Sequence, residues 1–256
     1  MVEQVGAEVP DLAVGEVVFA TVSRVEGMFF PTGGHVSPAV THRSQIWKLP
    51  PGVDPLAVSG LVLAQVGYNT ARRLAVQPDD AVVVLGDGLL GHWAGQVLQE
   101  QGARVLLVGR HDDRLRRFSP GPGDGVVNAR EGDWLEAVRT WAPTGIQGIA
   151  HTAGPVAPVE ALIPQMRRYG GISSASFCGT TGGFDVQKLR SRELSLHAPA
   201  GWAQERMDAT LERIADGRIR TKTLITHRFP ASRAAEAFAL VLNRTEPVLG
   251  VILDWE

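Results

Sequence analysis

The chain has 256 residues, 44% of them apolar, with 29 glycines, 16 prolines and a formal net charge of −2. That length suits one large domain, or one with a smaller appendage, and supports a core without disulfides or metal. The near-neutral charge supplies no basic field for nucleic acid or an acidic membrane surface, the single cysteine, Cys178, excludes an intrachain disulfide and a multi-cysteine zinc site, and the apolar runs are strand-length, too short to span a bilayer.

No signal peptide is legible in residues 1–10, and a reducing cytoplasm fits the cysteine usage. Residues 13–48 read as short strands and turns, with 17–20 and 36–40 strand-like and Pro31, Gly33 and Gly34 as punctuation. Pro50-Pro51-Gly52 marks a boundary, because two prolines stop any regular element. Residues 55–74 carry a helical pattern, broken by Gln77-Pro78-Asp79-Asp80.

Residues 81–85 (Ala-Val-Val-Val-Leu) form an unbroken apolar, mostly β-branched run, as expected of a strand buried on both faces of a parallel sheet. A helix over 89–101 and a second buried strand over 104–108 follow. Further on, the spacing predicts a short helix over 112–117, a Pro/Gly loop over 119–125, and a helix over 133–141 capped by Asp133. It then predicts a strand over 146–151, a helix over 156–168 and strands over 171–176 and 193–198. Met207, Leu211, Ile214 and Ala215 fall on one helical face, ended by Gly217. Ser232 is placed to cap a last helix, and 248–253 closes the chain as a strand. This alternation implies an α/β fold with a doubly wound parallel sheet of Rossmann type.

Gly86-x-Gly88-x-x-Gly91 sits between a buried strand and a helix. Alone the pattern is weak, and a glycine-rich turn without a ligand would read the same. In this context it reads as a dinucleotide cradle. Gly86 permits the tight turn, Gly88 lets a pyrophosphate approach the backbone, and Gly91 lets the helix pack close to the sheet. The loop is completed by Asp87, Leu89 and Leu90, and the free amides and dipole of the helix start hold phosphate. The second strand ends in Val108-Gly109-Arg110-His111. Gly109 stands where a carboxylate would bind the ribose 2′-hydroxyl of NAD(H), and Arg110, His111 and Arg114 would meet a 2′-phosphate, so NADP(H) is preferred over NAD(H). The plain alternative is a solvated arginine face, which suits Arg116 and Arg117.

These stretches resemble the cofactor domain of the medium-chain dehydrogenase/reductase family. The resemblance is carried by residues 82–91 with Gly102-Ala103-Arg104-Val105, by Leu224-Ile225-Thr226-His227-Arg228-Phe229-Pro230, and by the closing Leu249-Gly250-Val251-Ile252-Leu253-Asp254-Trp255. Gly33-Gly34-His35-Val36 and Trp47-Lys48-Leu49-Pro50 are similar to the end of that family's GroES-like catalytic domain. The Gly-Asp-Gly-Leu-Leu-Gly loop, Val-Gly-Arg-His and Leu-Asp-Trp together resemble the bacteriochlorophyllide dehydrogenase subgroup. The resemblance implies three parts: a reduced GroES-like remnant over 1–50, the Rossmann domain over 51–226, and a helix and strand over 227–256 returning to the remnant. Most of the family's first domain has no counterpart, nor do its zinc cysteines. Its third zinc-ligand position falls at Val62, so no zinc is expected.

The same carry-over sets the ends of later strands beside the nicotinamide: Thr152, Ala153 and Gly154, then Ala175 and Ser176, then His197. His197 is the candidate proton donor, or else a strand histidine bonded to backbone. Tyr68, on a helix expected to face the crevice, is a second candidate donor, or else a core tyrosine. His35, His92 and His151 read as structural or solvent-facing. Cys178 lacks an activating base and gets no role, and residues 179–183 read as a loop able to close over ligand. The expected function is zinc-independent, NADP(H)-dependent oxidoreduction of a small-molecule carbonyl, alcohol or activated double bond. The alternative is a non-redox cyclase or isomerase, or a nucleotide-binding protein, on the same fold. A homodimer through the edge strand 193–198 is expected, and a partner subunit is one way to cover the nicotinamide face.

Overall fold

A computed structural model describes residues 1–24, 32–179 and 182–255. The N-terminal part holds two small antiparallel pairs. Strand β1 (Val18–Ala20) pairs with β4 (Ile46–Lys48), and β2 (Ser23–Arg24) with β3 (Thr32–Gly33). Residues 36–40 form no strand. They lie against β2 through isolated bonds from Arg24 to the Val40 carbonyl and from the Val40 amide to Ser23 Oγ, and Pro38 has no amide to extend a ladder. Pro31 lies outside the described residues.

The helical pattern over 55–74 splits into α1 (Pro55–Val58) and α2 (Leu61–Arg72). Asp54 caps the first, and the Ser59 amide and hydroxyl both bond the Leu56 carbonyl, which closes that helix before Gly60. Next come β5 (Ala81–Leu85), α3 (Leu89–Glu100), β6 (Arg104–Gly109), α4 (Asp112–Leu115), β7 (Gly125–Asn128), α5 (Trp134–Trp141) and β8 (Ile146–His151). They are followed by α6 (Ala157–Leu162), β9 (Met166–Ser174), α7 (Val186–Arg190), β10 (Ser195–His197) and α8 (Gln204–Ala215). Strand β11 (Ile225–Pro230), α9 (Ala234–Asn243) and β12 (Gly250–Asp254) end the chain, with β11 and β12 paired in parallel.

Six strands form one parallel sheet in the order β10-β9-β8-β5-β6-β7, which is the doubly wound Rossmann arrangement expected. Strand β5 is fully buried, and its alternation assigns its side chains to two cores. Val82 and Val84 pack towards α2, α3, α4 and α8 with Leu61, Trp93, Leu98, Leu115 and Met207. Val83 and Leu85 pack towards α5, α6 and α7 with Val138, Val159, Leu162 and Leu189. Each such side chain contributes about 1.5–3 kcal/mol on leaving water. The order reverses at β5, so a crevice opens at the carboxyl ends of β5 and β8, the switch point where ligands bind in such sheets.

Four local expectations need correction. Strand β7 is not expected from the sequence, where only Val126 and Val127 mark it, and the loop expected over 119–125 overlaps it at Gly125 alone. The helix expected over 156–168 stops at Leu162. A 3-10 turn over Ile163–Gln165 contains Pro164, and Met166 then turns extended and pairs with Ile146 in β9. Helix α7 was not anticipated, although Asp185 caps it through the Gln187 amide. Ser232 lies inside a 3-10 turn and caps nothing; Arg233 holds the N-cap position of α9 without a side-chain capping bond. Asp133, by contrast, accepts from the amides of Leu135 and Glu136 as expected of a cap.

Candidate functional site

The three glycines have three distinct surroundings. Gly86 has φ +124, a conformation that side-chained residues avoid, and a Cβ there would lie 2.5 Å from Thr152 Oγ1 and 2.8 Å from Ala153 Cβ. A Cβ on Gly91 would fall 1.8 Å from the Gly86 carbonyl oxygen, so helix and turn touch backbone to backbone. Gly88 faces open space, with nothing within 4 Å of a Cβ. It precedes the first turn of α3, whose amides lack partners inside the helix. The loop therefore fits a diphosphate: two glycines close it and the third keeps its approach open.

The loops after β8 and β9 close on the same turn. The Thr152 amide and hydroxyl both donate to the Leu85 carbonyl, at 2.9 and 3.0 Å. Ala175 donates its amide to the His151 carbonyl, and Ser176 Oγ donates to the carbonyl of Gly154 at 2.9 Å. Gly86, Thr152, Ala153, Gly154, Ala175 and Ser176 thus lie together around the switch point. Cys178 Sγ rests 3.7 Å from the Gly154 carbonyl oxygen.

A second cluster lies at the end of β6 and is organised by Asp87. Its side chain folds over Gly109, where a Cβ would meet Asp87 Cβ and Oδ2, both at 2.4 Å. Glycine at 109 is therefore required by Asp87. Asp87 Oδ2 accepts from the amides of Arg110 (2.6 Å) and His111 (2.8 Å) and contacts His111 Nδ1 at 3.0 Å. Arg114 Nη1 stands 3.8 Å from Oδ1. Burial pushes the Asp87 pKa up, but the two amides and the imidazole outweigh it and hold the carboxyl below its usual range. Asp87 thus shapes the turn that carries Arg110, His111 and Arg114. Asp87→Ala is expected to cost about 1–3 kcal/mol in urea unfolding, because two part-buried amides lose a charged acceptor. A loss under about 0.5 kcal/mol would contradict this role.

Two cavities flank the cluster. One, of about 360 Å³, has Gly88, Leu89, Leu90 and Thr152 on one side and Leu63, Val241 and Leu249 on the other. The second, of about 470 Å³, is lined by His111, Asp113, Arg114, Arg130 and the segment from Arg244 to Val248. Arg114, Arg244 and Val248 line both. The C-terminal segment is held there by Arg114 Nη2, which donates to the Val248 carbonyl at 2.8 Å.

The two candidate proton donors are not brought together. His197 ends the edge strand β10, opposite Ser173 of β9 and half-buried. Two strand spacings, about 10 Å, separate β10 from β8. Tyr68 does not face the crevice. Its ring lies under the Arg213 guanidinium, 5.0 Å from the centroid, and Arg213 pairs with Glu100 at the far end of α3 from the glycine loop. Tyr68 is therefore not the crevice residue expected; its surroundings are those of a packing tyrosine in a cation–π contact.

Arg130 and Arg244 were missed, and so was the depth of His151. His151 is fully buried at the end of β8, with Nδ1 2.9 Å from Ser174 Oγ and Nε2 without a partner. Burial lowers its pKa. Arg110 is exposed, and its side chain is not in the lining of either cavity. Thr180 and Thr181, within the loop expected to close over ligand, lie outside the described residues. Among the described residues, no group of three or more His, Cys, Asp or Glu side chains is arranged to hold a metal ion, and no helix is long and apolar enough to cross a membrane.

No protein-family model matches the chain. It is 32% identical over 231 residues to a 2-desacetyl-2-hydroxyethyl bacteriochlorophyllide A dehydrogenase of Cereibacter sphaeroides, covering 90% of this chain and 67% of the relative. It is 27% identical over 193 residues to a 2-dehydro-3-deoxy-L-galactonate 5-dehydrogenase of Pseudoalteromonas atlantica, covering 75% and 56%. Solved structures share the fold. An alcohol dehydrogenase of Escherichia coli CFT073 complexed with NADH superposes with a TM-score of 0.74 at 20% identity, over 83% of this chain and 63% of that one. A structure described as a zinc-binding dehydrogenase, from Sinorhizobium meliloti 1021 and bound to NADP, does so with a TM-score of 0.70 at 18% identity, over 83% and 63%. The chain spans 56% to 61% of the length of two dehydrogenase relatives, the P. atlantica enzyme and a sorbitol dehydrogenase.

Proposed function

Since the chain belongs to the medium-chain dehydrogenase/reductase family, we propose that it is an oxidoreductase of small-molecule alcohols, carbonyls or activated double bonds that uses NADP(H) in preference to NAD(H) and works without zinc. The carrying observation is the glycine cradle, with Gly86 and Gly91 closing the turn and Gly88 facing open space.

Residues 86–91 would hold the diphosphate of the dinucleotide. Thr152, Ala153, Gly154, Ala175 and Ser176 would border its nicotinamide end. When bound, the nicotinamide would supply the hydride chemistry, and the protein would supply orientation. His197 is the remaining candidate to give or take a proton at a ring nitrogen. Preference for the 2′-phosphate is supported by Gly109, which brings no carboxylate of its own, and by the arginine-lined cavity beside it. Opposing it is the Asp87 carboxylate nearby, whose charge is met by two amides and the Arg114 guanidinium. Zinc independence is supported by Val62 at the family's third ligand position. Pairing of two copies through β10, where Leu196 is exposed, and a cytoplasmic location belong to the same proposal.

A non-redox or purely nucleotide-binding role is favoured by one observation: Tyr68, the second candidate proton donor, packs against Arg213 and away from the crevice. The test is steady-state oxidation of NADPH and NADH, followed at 340 nm, against panels of ketones, aldehydes and enones. Turnover with NADPH, unaffected by a chelator, is expected. Tight nucleotide binding with no turnover on any panel would replace this reading with the non-redox one.

A further inference from the structure

We propose that His151 is a positioning residue: joined to Ser174 beneath the strand ends, it locks the loops after β8 and β9 together as the bed for the nicotinamide half of a dinucleotide. The proposal rests on the dinucleotide reading above and concerns a side chain that touches no part of the nucleotide.

Strand register puts the pair in place. Leu85, His151 and Ser174 stand side by side across β5, β8 and β9, so their side chains leave the sheet on one face. On that face Leu85 belongs to the core under α5, α6 and α7. His151 is fully buried, and a buried imidazole needs partners for its nitrogens. Nδ1 has one, at 2.9 Å from Ser174 Oγ.

That contact is one of three rungs between the two loops. The Ala175 amide donates to the His151 carbonyl at 2.9 Å, and Ser176 Oγ donates to the Gly154 carbonyl at 2.9 Å. His151 therefore supplies two of the three, one from its backbone and one from its ring. The glycine turn is tied separately, by the Thr152 amide and hydroxyl to the Leu85 carbonyl.

Nε2 is buried without a partner. The backbone acceptors around the ring belong to the loop itself. Ala153, Gly154 and Pro155 all favour the charged imidazole, and Pro155 has no amide, so it presents its carbonyl. These acceptors set the ring proton on Nε2 and leave Nδ1 to accept from the Ser174 hydroxyl. Gly154, at φ +84, lets the chain bend over the ring. The imidazole is thus the floor of a turn whose outer residues, 153–155, are exposed. Without the Ser174 rung, the loops after β8 and β9 are free to shift against each other. Such a shift costs the nicotinamide half of the ligand and spares the half held at residues 86–91.

Calorimetric titration of the whole chain tests this. The ligands are the tighter of NADPH and NADH and its nicotinamide-free half, adenosine 2′,5′-bisphosphate or AMP. Ser174→Ala should weaken the dinucleotide by about threefold to tenfold, the worth of one hydrogen bond, and leave the half-ligand within about twofold. His151→Leu should show the same selectivity, with a loss at least as large. His151→Asn, whose amide falls where Nδ1 lies, should recover the dinucleotide to within about threefold of the wild type. Ser174→Ala removes one oxygen from a half-buried position, so it decides the matter should His151→Leu fail to fold. A loss shared equally by dinucleotide and half-ligand in Ser174→Ala, or no loss of either, would overturn the assignment and leave the dinucleotide reading in place. A wild type that binds neither dinucleotide would overturn both.

Discussion

Gly91→Ala is expected to lose nucleotide binding and stability together, while Gly88→Ala loses binding alone. The contrast follows from what each new methyl group would meet. At position 91 it would lie 1.8 Å from the Gly86 carbonyl oxygen and 2.9 Å from the carbonyl carbon, and backbone cannot rotate out of the way as a side chain can. The turn between β5 and α3 would have to open, at a cost of at least about 2 kcal/mol by analogy with overpacked cores. The cradle would be distorted as well. At position 88 the backbone is extended, with φ −83 and ψ −179, which any residue can adopt, and the methyl group meets nothing. The unfolding midpoint should stay within about 1 kcal/mol of the wild type, because the main penalty is alanine's poor performance at a helix N-cap. The same methyl group would occupy the space through which a diphosphate reaches the amides, so affinity should fall by more than about tenfold. Urea titration and nucleotide titration of both variants separate the two effects. Identical profiles for the two variants would remove the division of labour among the glycines.

A second large effect is expected from His92. It lies in the first turns of α3, fully buried, with its ring 6.3 Å from that of Phe118 and Nε2 without a partner. Burial pushes its pKa down to about 4. The ordinary value near 6.5 applies once the chain unfolds. Between pH 6.5 and 4 the unfolded chain therefore binds a proton that the folded chain refuses, so stability rises with pH across that window. The contribution is fully present above pH 6.5 and lost as pH falls towards 4. It amounts to about 3 kcal/mol at 1.36 kcal/mol for each pH unit between the two values. His92→Phe, which keeps an aromatic ring beside Phe118 and cannot be protonated, should remove that part of the pH dependence. Urea midpoints for both proteins at pH 7.5 and 4.5 decide it. A variant whose stability falls with acid as steeply as the wild type would show that another group governs the loss.

The glycine cradle was legible in the sequence because its function depends on missing side chains at fixed spacing, between a strand and a helix whose own patterns were clear. The central strands were legible for a similar reason: Ala81 to Leu85 and Arg104 to Val108 are buried on both faces, so their composition is uniform. Strand β7 was not, because one residue in four faces solvent and a glycine and an asparagine end it. Met166 to Arg168 reads as helix in the sequence because the periodicity continues past Pro164, where the backbone does not.

The site was harder to read than the fold. Asp87 looked like a loop residue, and only the packing of β5 against β6 explains why Gly109 must be glycine beneath it. The side of α2 on which Tyr68 lies is not legible, since helical spacing fixes relative faces and leaves open which face meets the crevice. Arg130 and Arg244 are more than a hundred residues apart in sequence. They meet only because the turn after β7 and the end of α9 both fold back to the end of β6.

Amide hydrogen exchange on the cradle tests the central claim most directly. On adding saturating NADPH, the amides of Gly88, Leu89, Leu90 and Gly91 should become protected by roughly tenfold or more, because a bound diphosphate supplies the acceptors that the helix start lacks. Saturating nucleotide that leaves these four amides exchanging as before, with any new protection elsewhere in the chain, would contradict it.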